Sequence, residues 1–104
     1  MSEIKLAVRT FRMGTDKESA IKVLEEASEV RAAWQETDGC GSSEQCRKCL
    51  LEDGVTCFGY IEFADELADV IQAACNLADR YGIDLLAAMG RCEERNVKRG
   101  RYDD

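Results

Sequence analysis

The sequence predicts an all-α fold: an antiparallel helical bundle of two long helices plus shorter ones, completed by oligomerisation and carrying a cysteine-bearing loop insertion. Three observations predict it. Proline is absent from all 104 residues, which removes the main helix breaker and argues against a loop-rich β fold. Two long stretches repeat apolar residues at intervals of three and four, the period of a helix face. Between them lies a segment of different character, rich in glycine, serine and cysteine, which reads as a connection. The length suits a single domain, residues 1–104, whose modest core favours help from a partner subunit or a metal.

The first 14 residues read two ways. Ile4, Leu6 and Val8 alternate, while Leu6, Ala7, Val8 and Phe11 also fit one helical turn; the preferred reading is a short helix. Thr15-Asp16-Lys17-Glu18 has the form of a capping box, with Thr15 at the N-cap and Glu18 reaching back to it. The apolar set Ala20, Val23, Leu24, Ala27, Val30 and Trp34 then predicts an amphipathic helix to about Glu36, broken at Thr37-Asp38-Gly39. Trp34 closes that stripe and is expected in a core or interface. Residues 37–58 form the insertion, in which Asp53-Gly54 suits a tight hairpin. The second long helix starts near Tyr60 and carries Ala64, Leu67, Ala68, Ile71, Ala74, Cys75 and Ala78 on one face. Gly82 is placed to end it in the left-handed region. Asp84 caps a third helix bearing Leu85, Met89 and Cys92, which runs into a basic tail from Arg95 to Arg101. Cys75 and Cys92 fall on apolar faces and are expected to pack as small hydrophobes.

Composition narrows the chemistry. Histidine is absent, so Ser-His-Asp and Cys-His catalysis and His-ligated zinc are excluded. The formal net charge is −7, which argues against non-specific binding to nucleic acid or an anionic membrane. An acidic protein that acts on phosphates needs cations as mediators. No apolar run is long enough for a membrane span, and residues 1–5 lack the apolar stretch of a signal peptide. The expected compartment is the cytoplasm, where the six cysteines are expected as thiols or metal ligands rather than disulfides.

The residues with chemistry to offer are carboxylates. Glu25, Glu26 and Glu29 lie on the first long helix, and Glu62, Asp65, Glu66 and Asp69 on the second. At about 100° per residue, Glu26 and Glu29 are roughly 60° apart, as are Glu66 and Asp69, and Asn76 shares the face of Asp69 within about 20°. Two readings stand: a solvated acidic face, or a cage for a divalent cation. The i,i+4 pairs Glu25/Glu29, Glu62/Glu66 and Asp65/Asp69 are all of like charge. Such pairs destabilise a helix by roughly 0.2–0.5 kcal/mol each, and on this reading no local group offsets them. A hard cation such as Mg²⁺ would.

At these residues the chain resembles a known family. Glu25-Glu26-Ala27-Ser28-Glu29-Val30 followed by Asp65-Glu66-Leu67-Ala68-Asp69-Val70 is similar to the paired E-x-x-E and E-x-x-D motifs of the MazG-like nucleotide pyrophosphohydrolases, of the all-α NTP pyrophosphatase superfamily. The likeness continues through Asn76-Leu77-Ala78, Tyr81-Gly82-Ile83-Asp84 and Arg95-Asn96-Val97-Lys98-Arg99-Gly100-Arg101-Tyr102, and spans about 20–34 and 63–102. It implies cleavage of nucleoside triphosphates to the monophosphate and pyrophosphate. It also implies Glu26, Glu29, Glu66 and Asp69 as Mg²⁺ ligands, with Asn76 facing the metal or nucleotide. Asn96, Lys98 and Arg101 would meet the triphosphate, and a homodimer or a dimer of dimers is implied. A carboxylate not fully used in coordination, Glu25 or Glu29, would take the proton of the attacking water. Lys98, Arg99 and Arg101 also suit a simpler role, complementing the dipole at a helix C-terminus.

The chain departs from the family's pattern at residues 37–58, where the linker is longer and holds Cys40, Cys46, Cys49 and Cys57. Four thiolates can close a structural zinc site; free thiols and a disulfide or redox role remain alternatives. The leading expectation is Mg²⁺-dependent nucleotide pyrophosphohydrolysis. Its rivals are a non-catalytic helical adaptor whose zinc-stabilised loop binds a protein, and hydrolysis of another phosphoanhydride such as a phosphoribosyl-nucleotide.

Overall fold

A computed structural model describes residues 2–37 and 58–103. Among the described residues there are three helices and no strand: α1 (Asp16–Glu36), α2 (Phe58–Arg80) and α3 (Leu85–Lys98). The all-α class is therefore observed. Cys40, Cys46, Cys49, Cys57 and the Asp53-Gly54 hairpin expectation lie outside the described residues.

Local sequence sets the helix ends. Thr15 accepts from the Glu18 backbone N–H at 3.2 Å, and the Glu18 carboxylate accepts from the Thr15 N–H at 2.9 Å, completing the capping box. Asp84 caps α3 through the Ala87 N–H at 3.0 Å. Gly82 has φ +64° and closes α2 with two reversed bonds, Ile83 N–H to the Ala78 carbonyl and Gly82 N–H to the Asp79 carbonyl. The same pair of bonds recurs at Gly100, from Arg101 to Asn96 and from Gly100 to Val97, with φ +69°. Both positions need the left-handed conformation that glycine adopts without a Cβ penalty.

The expected helix at the N-terminus is not formed. Residues 2–13 have no regular secondary structure, and near their end two backbone groups bond to α2. The Phe11 N–H donates to Asn76 Oδ1 at 3.0 Å, and Gln72 Nε2 donates to the Arg9 carbonyl at 2.8 Å.

Helices α1 and α2 pack against each other and run antiparallel: Asp16 at the start of α1 pairs with Arg80 at the end of α2. Arg80 Nη2 also donates to the Gly14 carbonyl at 2.8 Å. On α1 the residues turned from solvent are Ser19, Val23, Glu26, Val30 and Ala33, a strict four-three alternation of the coiled-coil kind. On α2 Phe63, Glu66, Val70, Ala73 and Leu77 repeat it, and towards the C-terminal end of the helix Gln72, Ala74, Cys75, Asn76, Ala78 and Arg80 are also turned from solvent. This pattern overlaps the predicted apolar stripes only in part. On α1 Val23 and Val30 belong to both, while Leu24 is 69% and Trp34 58% exposed. On α2 Ala74, Cys75 and Ala78 of the predicted stripe are turned from solvent, Leu67 and Ile71 are exposed, and Ala73 and Ala78 are the buried hydrophobic residues among those described. Periodicity fixes which residues share a face; it does not fix which face meets the first neighbour. Helix α3 does not pack extensively on either, and its Leu86, Met89 and Val97 are exposed. Cys75 and Cys92 are free thiols, half-buried.

The capping box yields the first prediction. Thr15→Ala removes the oxygen that satisfies the Glu18 N–H, and should lower stability by about 1 kcal/mol, read from the denaturant midpoint.

Candidate metal centre

The centre is built where the seam carries acid. Glu26 takes a seam position on α1 and Glu66 one on α2, and Glu29 follows Glu26 by one turn. A carboxylate oxygen from each of Glu26, Glu29 and Glu66 lies within 4.8 Å of the others. Glu26 is 6% exposed, the buried residue of α1; Glu66 is half-buried and Glu29 exposed. Glu26 Oε2 and Glu66 Oε2 are buried and have no hydrogen-bond partner. Two buried carboxylate oxygens without a partner leave room for a ligand, and a hard divalent ion fits a donor set made of carboxylate oxygen.

One cation of the chain already reaches the cluster. Lys22 Nζ is 2.8 Å from Glu26 Oε1 and 3.9 Å from Glu25 Oε2. The like-charge reading missed it: Lys22 precedes Glu26 by four residues, so the offsetting charge is legible in the sequence. Its hydrogen bond to Glu26 raises the Lys22 pKa above the ordinary lysine range. The same bond, ahead of the opposing effect of burial, holds the Glu26 carboxyl below the usual glutamate range. Glu29 moves the other way: sharing a hydrogen bond with Glu26, the repulsion of Glu26, and then a hydrogen bond shared with Glu66 raise its pKa. Metal-free, the cluster therefore holds Glu26 as an anion against Lys22 and binds a proton most readily at Glu29.

The other expected site residues divide into two groups. Glu25, Asp69 and Asn76 line a cavity beside the cluster, together with Glu26 and Lys22. Asp69 is exposed and stands outside the converging triad. Asn76 spends its Oδ1 on the Phe11 N–H and on Gln72 Nε2, both accepted at 2.8–3.0 Å. Asn96, Lys98 and Arg101 are not brought to the carboxylates within one chain. Asn96 Nδ2 meets Cys92 Sγ at 3.6 Å, and α3 leads away from the α1–α2 pair. Phe11, Gln72 and Arg80, which tie the N-terminal segment to α2, were not anticipated. Only their side-chain chemistry is visible in the sequence, because their partners are more than 60 residues away.

Set against protein families, curated proteins and solved structures, the chain has no match.

The carboxylate electrostatics predict two pH effects. Glu29 must lose its proton to ligate, so Mg²⁺ affinity should fall on acidification at a higher pH than for isolated glutamates, which titration calorimetry across pH would read. Without metal, a raised folded-state pKa stabilises the fold below the unfolded value and that stability is lost as pH rises through the folded value. Glu29→Gln should therefore raise Tm in chelator at about pH 7 and have little effect at about pH 4, below the ordinary glutamate range.

Proposed function

We propose that the protein is a Mg²⁺-dependent nucleotide pyrophosphohydrolase, cleaving nucleoside triphosphates to the monophosphate and pyrophosphate. The observation that supports it is the convergence of Glu26, Glu29 and Glu66, with two buried unpartnered oxygens, next to a cavity that Glu26 lines. Glu26, Glu29 and Glu66 would hold the cation, with Asp69 one turn along to extend the set. A divalent ion held there supplies positive charge to phosphate oxygens and acidifies water. Glu25, exposed on the cavity wall, is placed to accept the proton of the attacking water. Lys22 neutralises the cluster when no metal is bound and lies on the same wall, where its ammonium can meet a phosphate instead.

The same reading includes a homo-oligomer, a dimer or a dimer of dimers in which the pairs of helices form a larger bundle. What supports it is the disposition of apolar residues. Among the described residues, the fully buried ones of α1 and α2 are alanines and a glutamate, while Leu24, Trp34, Leu67, Leu86 and Met89 face outward, side chains a second copy could cover. In such an assembly the α3 of a second copy would bring Asn96, Lys98 and Arg101 within reach of the carboxylates.

Pyrophosphate release from each common (d)NTP in Mg²⁺ tests the reaction. Glu66→Gln should reduce it by at least about a hundredfold, the scale of losing an electrostatic group that acts on the transition state, with helix content by circular dichroism unchanged. Full activity in that variant, or no release from any nucleotide, would overturn the proposal. Light scattering should give at least two chains per particle; a monomer at micromolar concentration would contradict the assembly.

A further inference from the structure

The cavity beside the carboxylates has a volume of about 550 Å³, within the range of roughly 300–1,000 Å³ typical of small-molecule sites. Its lining combines two chemistries. Glu18, Glu25, Glu26, Asp69 and Lys22 are charged, whereas Phe11 and Met13 of the N-terminal segment and Ile21 and Ala73 of the two long helices are apolar. A purely apolar occupant does not suit the charged groups, and a free phosphate leaves the apolar ones uncovered. A ligand that joins a flat apolar part to a phosphate suits both.

The aromatic wall is not a loose chain end. The Phe11 N–H is fixed to Asn76 Oδ1, the Arg9 carbonyl to Gln72 Nε2, and the Gly14 carbonyl to Arg80 Nη2. Gln72 Nε2 also donates to Asn76 Oδ1 at 2.8 Å, which locks the two amides as a unit. Because a backbone N–H can only donate, it sets the orientation of the Asn76 amide. Three side chains of α2 thus hold the segment on both sides of Phe11, whose ring is about half exposed at 49% and borders the cavity. Ordering a segment with so little buried surface is costly, and three bonds from one helix face at regular spacing place it beside the acidic cluster.

We infer that the N-terminal segment forms the nucleobase seat of the site, with Phe11 as the aromatic surface against which the base packs. This rests on the pyrophosphohydrolase reading and adds where base recognition occurs: in residues 9–14, outside the helices that carry the acidic motifs. Met13 and Ile21 line the same cavity, and Asn76 acts as a positioning residue that sets where Phe11 stands. The seat tolerates different bases to a first approximation, because every base offers a π-face.

The test separates the base from the phosphates. Calorimetry in Mg²⁺ compares nucleoside monophosphates with inorganic pyrophosphate as ligands of the full chain, for wild type, Phe11→Ala and Phe11→Trp. Phe11→Ala should weaken monophosphate binding roughly tenfold, the scale of one lost base–aromatic contact, and leave pyrophosphate and Mg²⁺ binding unchanged. Phe11→Trp should restore monophosphate binding. If Phe11→Ala binds monophosphates as wild type does, or weakens both ligands equally, the seat is overturned while the pyrophosphohydrolase reading stands. If wild type binds Mg²⁺ but neither ligand, that reading falls and the seat with it.

Discussion

A carboxylate occupies the place in the α1–α2 seam where paired helices ordinarily meet through alanine or leucine, and the rest of the molecule is arranged around that fact. Glu26 is nearly buried, and burying an anion is costly unless another charge compensates it. Lys22 supplies part of the compensation at 2.8 Å. It reaches one oxygen only; Glu26 Oε2 and Glu66 Oε2 remain unpartnered. Glu29 answers by holding its proton more tightly. An arrangement with this much uncompensated charge at a helix contact is poor as mere packing and sensible as a place for a cation.

The same seam decides where the apolar residues go. With Glu26 and Glu66 between the helices, Leu24, Trp34, Leu67 and Ile71 remain on the outer faces. The hydrophobic residues that are fully buried among those described are Ala73 and Ala78, and burying alanine removes far less apolar area than burying leucine. The acidic centre and the proposed assembly are therefore two consequences of one choice of interface. The capping box, Asp84 and the two glycine-closed helix ends secure the helices locally while the tertiary core remains small.

The N-terminal segment joins this scheme from outside the helices. Arg80 holds both Gly14 and Asp16, clamping the start of α1 to the end of α2. One turn and two turns earlier, Asn76 and Gln72 hold Phe11 and Arg9. One face of α2 thus carries polar anchors towards its C-terminal end, and two of them, Gln72 and Asn76, line the cavity.

Much of the molecule is determined by short-range sequence. The boundaries of α1 and α3 follow from Thr15, Glu18 and Asp84, and the end of α2 from Gly82, because caps are satisfied by atoms within a few residues. That Glu26 and Glu29 share a helix face follows from 3.6 residues per turn, and the Lys22–Glu26 pair is equally local. Tertiary structure alone decided three things. It chose the four-three seam over the more apolar stripe, so that Glu26 became buried and Asp69 remained exposed. It kept residues 2–13 out of a helix, with Gln72 and Asn76 taking the Arg9 carbonyl and the Phe11 N–H. And it set α3, with Asn96, Lys98 and Arg101, apart from the carboxylates. Each of these depends on contacts between residues far apart in the chain, and a periodic pattern carries no record of which distant surface it will meet.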